Sequence, residues 1–97
     1  MQNFVTCPVY KREQWIRWQK LFEGTEAEML GTYDEWLERH NQMVEKFKSE
    51  GGAMHRIEID IYEYLAWTRS GGLPVDGYTR TEFPLFIYRE RMKAAGN

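Results

Sequence analysis

The chain has 97 residues, a formal net charge of -2 and one cysteine, so it is long enough to fold without staples, cannot close an intrachain disulfide, and lacks the basic excess of a phosphate-coating protein. Four tryptophans and a 42% hydrophobic content exclude a disordered chain. No stretch approaches the roughly 18 apolar residues of a membrane span, and the N-terminus carries no signal-peptide pattern.

The expectation is one globular domain over residues 1–97, cytoplasmic because its lone thiol and five methionines suit a reducing compartment. Acidic and basic blocks alternate along the chain, which helix dipoles account for.

Taken in chain order, residues 3 to 9 carry β-favouring side chains, and Pro8 confines a strand there to a short or edge position. From Lys11 to Phe22, Trp15, Trp18 and Phe22 recur at helical spacing, with Gly24 as a stop. Thr25-x-x-Glu28 and Thr32-x-x-Glu35 are capping-box spacings. The second opens the clearest helix, whose stripe is Tyr33, Trp36, Leu37, His40, Val44 and Phe47, ended by Gly51 and Gly52.

Met54 to Ile59 alternates His55, Ile57 and Ile59 against Met54, Arg56 and Glu58, the period of a strand with one buried face. Asp60-x-x-Glu63 then caps a helix with the stripe Ile61, Tyr64, Leu65 and Thr68, which Gly71-Gly72-Leu73-Pro74 terminates. A turn at Val75-Asp76-Gly77 leads to a last helix, expected to start at a Thr81 cap with Pro84 in its first turn. The rival for Leu85 to Tyr88 is a short strand. The fold class is α+β, predominantly helical: about four helices, one short central strand and a candidate N-terminal edge strand.

The order WIRW, DEWLERH, RIEIDIYEYLAW and DGYTRTEF, over about residues 10 to 90, resembles a pattern of small bacterial proteins of unassigned function. The resemblance implies no activity and no ligand.

Cys7 with His40 or His55 is a candidate nucleophile-and-base set, and the apolar stretch around Cys7 favours a buried structural thiol. His40, His55 and Glu58 supply ligand types for a metal without a spacing that demands one, and both histidines fall on apolar faces where core roles are commoner. The acidic residues Glu23, Glu26, Glu28, Asp34, Glu35 and Glu38 follow no calcium-loop pattern. Arg80, Arg89, Arg91 and Lys93 among Phe83, Phe86 and Tyr88 form a basic, aromatic stretch that helix-end charge and core packing explain. Arg80 is expected to be structural, its fork reaching a carboxylate such as Asp60, Glu63 or Asp76, or helix-end carbonyls. No phosphate-loop, dinucleotide, zinc-protease, esterase or Cys-x-x-Cys spacing occurs, so no catalytic residue, metal or cofactor is expected.

The remaining signal is aromatic and apolar surplus: Tyr10, Ile16 and Trp67 sit off the best stripes, and such side chains are favoured at interfaces. The sequence therefore points to a non-enzymatic protein-interaction or regulatory module that self-associates. A nucleic-acid-binding accessory protein is the alternative and a small enzyme the third option, although the net charge disfavours nucleic acid. The expected homodimer pairs the 54–59 strand antiparallel with its copy, setting Arg56 against Glu58 of the other chain. The alternative partner for that strand is the N-terminal segment. Ile16, Trp67, Arg56 and Glu58 are the expected partner-binding residues.

Overall fold

The computed structural model describes residues 4–23 and 29–96. Gly24, the Thr25-x-x-Glu28 spacing and Glu26 lie outside them. The protein is α+β and predominantly helical: among the described residues, four α-helices accompany one two-stranded parallel sheet.

Strands β1 (Phe4–Tyr10) and β2 (Ala53–Ile59) pair along their whole length, from Phe4 against Ala53 to Tyr10 against Ile59. Pro8 is accommodated because both strands of a two-stranded sheet are edges, where a missing donor can point away from the ladder. The partner that β2 requires is thus the N-terminal segment of its own chain. An antiparallel pairing with a second copy is not needed to satisfy it, and that ground for a two-chain sheet falls away.

Alternation works as the sequence indicates, with Ile57 and Ile59 buried and Arg56 and Glu58 exposed. The sheet lies between two helices. On one face Arg56 reaches Asn41 of α2 (Tyr33–Ser49) at 3.4 Å; on the other, His55 packs on Tyr88 of α4 (Gly77–Ala95), ring centroids 4.9 Å apart.

A 3-10 turn at Arg12–Gln14 feeds α1 (Trp15–Leu21), so the first α-helix is shorter than its apolar spacing suggests. Its stripe is nonetheless buried at Trp15, Trp18 and Phe22. In α2 the Thr32 hydroxyl accepts from the Glu35 amide at 3.1 Å while the Glu35 carboxylate accepts from the Thr32 amide at 2.8 Å. Trp36, His40 and Val44 face inward from it. After it the chain reverses at Gly51, whose φ of +89° suits glycine, and at Gly52, where a Cβ would enter the Phe47 ring.

The last helix departs from expectation. It starts at Gly77, capped by Asp76, whose carboxylate accepts from the Thr79 amide at 2.9 Å while Thr79 Oγ1 accepts from the Asp76 amide at 3.2 Å. Asp76 satisfies a first-turn amide five residues before the expected Thr81 cap, so Thr81 becomes an interior residue bonding back to the Gly77 carbonyl at 2.9 Å. Pro84 then lies in the helix interior and removes one i→i−4 bond. Leu85 to Tyr88 is helix, not strand.

The core is aromatic. Tyr10, placed off the stripes by spacing alone, is only 3% exposed because it ends β1 opposite Ile59, with Trp18 and Trp36 each 5.1 Å from its ring. Trp15, Phe22, Tyr64 and Phe83 extend the cluster.

Asp60 ties the two halves of the chain together. It caps α3 (Ile61–Gly71) by accepting from the Tyr62 and Glu63 amides, and it takes Gln14 Nε2 at 2.9 Å and Lys11 Nζ at 3.2 Å. Burial alone would raise its pKa, but the bonds from Gln14, the Glu63 amide and Lys11 outweigh that and hold the carboxyl below its ordinary value. A lowered folded pKa means that the unfolded chain takes up the proton first, so this contribution is complete above about pH 5 and is lost as acid protonates the folded group. Stability measured by urea melts from pH 6 down to pH 3 is therefore expected to fall less steeply in Asp60→Asn than in the parent; an unchanged slope would count against the assignment.

Candidate functional site

Two regions hold the residues that chemistry or recognition could use. The first is a cavity of about 240 Å³ where β1, α2 and the start of α4 meet. Sheet alternation turns Cys7, the register partner of Arg56, toward α2, and the helical stripe turns His40 toward the sheet. Cys7 Sγ consequently lies 4.0 Å from His40 Nε2, both side chains being buried. Met43, one helical turn beyond His40, lines the same cavity and is 46% exposed. Arg39, Arg80 and Trp36 are also in its wall.

The sequence names Cys7 with His40 or His55, and the fold selects His40. His55 is on the opposite face of the sheet, against Tyr88, so the trio of His40, His55 and Glu58 does not assemble. Among the described residues no three of His, Cys, Asp and Glu are grouped to hold a metal.

The proton affinities suit a neutral pair. Burial pushes the Cys7 thiol up to about 11, against the opposing pull of Arg56, and burial followed by the Arg56 charge lowers the His40 pKa. A cysteine nucleophile needs a depressed thiol pKa beside a proton-accepting base, and this site moves the thiol the other way.

The second region is the outer side of α3 and α4. Trp67 is half-buried, stacked near Phe83 and Phe86 with centroid distances of 5.1 and 5.6 Å. Phe86 and Tyr78 are 39% and 72% exposed, and eight residues of helix set them about 12 Å apart on one stripe. Glu82 lies between them and holds the Tyr78 phenol, raising its pKa. Beside the stripe, Val5, Thr6, Thr81, Glu82 and Leu85 line a groove of about 270 Å³.

Of the expected partner-binding residues, only Trp67 belongs to this region. Ile16 is 64% exposed on α1, near Met29 and Leu30, while Arg56 and Glu58 are on the outward positions of β2. Arg80 is buried to 3% exposure with its guanidinium over the Phe22 ring, 4.9 Å from the centroid, a structural placement. Asp60 is engaged by Lys11 and Gln14. Burial of Arg80 and Phe83 also breaks up the basic, aromatic stretch, leaving Phe86, Arg89, Arg91 and Lys93 toward solvent. In the acidic run, Asp34 pairs with Arg12 at 2.8 Å, Glu35 serves the α2 cap and Glu38 accepts from Gln42.

No family model matches the chain, and neither a curated protein nor a solved structure matches it. Among the described residues no helix is long and apolar enough to cross a membrane.

Proposed function

We propose that this protein is a non-enzymatic protein-interaction module that forms a homodimer through the outer stripe of α4. The observation that carries the reading is that the middle of α4 is apolar all round: Phe83 and Pro84 are buried, Leu85, Ile87 and Tyr88 are half-buried, and Phe86 is exposed, with Tyr78 and Met92 exposed toward the two ends. A helical segment with apolar side chains all round is normally covered, and this one leaves Phe86 bare.

The charges along that side favour a second copy as its cover. Glu82 and Arg89 are seven residues apart on one face, so two α4 helices crossing antiparallel near Leu85 and Phe86 put each Glu82 opposite Arg89 of the other copy. Tyr78 then meets Lys93 of that copy, a cation beside an aromatic ring. Trp67 and Phe86 supply the apolar centre, where aromatic anchors contribute most.

Sedimentation velocity at micromolar concentration is expected to give twice the chain mass of 11.7 kDa. Glu82→Arg and Arg89→Glu each weaken the dimer, and the double exchange restores it. A monomer mass throughout, or no recovery in the exchanged pair, overturns the reading. Salt-dependent retention on DNA with a monomer mass would favour the nucleic-acid alternative, to which exposed Arg89, Arg91 and Lys93 lend their charge.

A further inference from the structure

The cavity between β1, α2 and α4 has a composition that neither dimerisation nor core packing requires: a thiol, an imidazole and a thioether, from Cys7, His40 and Met43, line one space of about 240 Å³. From these three side chains we infer a binding site for a soft monovalent metal ion, Cu(I) or its analogue Ag(I).

The separation of the two buried ligands fits a bridging ion. With metal–sulfur and metal–nitrogen bonds of about 2.3 and 2.0 Å, as for thiolate and imidazole on zinc, a Cys7 Sγ to His40 Nε2 distance of 4.0 Å corresponds to an angle at the metal of roughly 135°. That is wider than a tetrahedral angle and lies between trigonal and linear, the low coordination numbers that Cu(I) accepts. Met43 offers the third donor: it is one turn from His40 on the same helix, lines the same cavity and is partly exposed. Thiolate and thioether are the donors that select Cu(I) over harder cations.

Charge chooses between valences. Binding releases the Cys7 proton to solvent, one per ion, and a thiolate with a monovalent ion is neutral. A divalent ion with one thiolate leaves a net positive charge in a wall that holds Arg39 and Arg80, with Arg56 acting on Cys7 from beside it. Zinc, which in structural sites takes four donors, also finds no carboxylate or second thiol to complete its set among the described residues.

The full chain, reduced and kept anaerobic, is titrated with Cu(I) against the chelator bicinchoninate, and separately with Ag(I). One ion per chain is expected, with one proton released, and X-ray absorption should show two sulfur ligands and one nitrogen. Cys7→Ser abolishes binding, and Met43→Leu, at a partly exposed position where folding is not at stake, weakens it and leaves one sulfur in the spectrum. His40→Phe removes the nitrogen ligand. If Cys7→Ser alone matters and Met43→Leu binds like the parent, the ion is a simple thiol adduct and the site is wrong; equal or tighter binding of Zn(II) overturns it as well.

Discussion

Replacing Trp36 by alanine is expected to cost about 3 to 5 kcal/mol, a large share of the 5 to 10 kcal/mol that a domain of this size has in total. Trp36 is 7% exposed and its ring has Tyr10 at 5.1 Å, Tyr33 at 5.3 Å, Trp15 at 5.7 Å and His40 at 4.9 Å. It therefore joins β1, α1 and its own helix, and the void left by truncation cannot be filled by motion of one neighbour. The transfer and cavity contributions add for that reason. In thermal melts the midpoint should fall by roughly 12 to 40 °C, taking about 4 to 8 °C per kcal/mol for a chain near 100 residues. A shift of a degree or two would place Trp36 at the surface and undo the assignment of the α2 inner face. Trp36→Phe keeps part of the contact area and should lose less.

Helix α2 was legible because everything that specifies it is local. The Thr32 and Glu35 pair, the stripe through Trp36, His40 and Val44, and the glycines at 51 and 52 can be found within one short window, and each does in the fold what its spacing indicates. The α3 cap at Asp60 was readable on the same grounds. The start of α4 was misread because two local caps compete and a rule about proline favoured the wrong one. Asp76 with Thr79 closes a reciprocal box, and the fold tolerates Pro84 inside the helix to keep it.

What needs contacts across the chain could not be read. Tyr10 looks surplus until β1 is paired in parallel with β2, which buries its ring against residues of α1 and α2. Cys7 and His40 are 33 positions apart, and their inward orientations are each readable from periodicity, but only the pairing of the sheet decides that they meet and that His55 is on the other side. Met43 falls off the α2 stripe and carries no signal until the cavity it lines is known. Trp67, off its helix stripe in the sequence, packs half-buried against Phe83 and Phe86 of α4, a contact that only the docking of α3 on α4 decides.

Gln14 shows how much one non-local polar side chain can matter, and its replacement is the second change expected to have a large effect. It is buried at 7% exposure beside the first helix, yet its amide spans 46 and 47 positions of sequence. Nε2 donates to Asp60 Oδ2 at 2.9 Å, and Oε1 accepts from the Ile61 backbone amide at 2.9 Å, so one side chain uses both a donor and an acceptor at the start of α3. In Gln14→Leu the volume is nearly kept while both bonds vanish. The Ile61 amide is left buried without its acceptor, which costs about 1 to 3 kcal/mol, and the carboxylate loses a bond of the kind worth roughly 1.5 to 3 kcal/mol. Because Lys11 still holds Asp60 and water can reach that carboxylate, the two losses should not add fully, and a total near 3 kcal/mol is expected. Gln14→Ala adds a cavity and should cost somewhat more. Equilibrium urea unfolding of the two variants separates the contributions: comparable losses assign the effect to the hydrogen bonds, whereas a leucine variant as stable as the parent would show that Gln14 acts through packing alone.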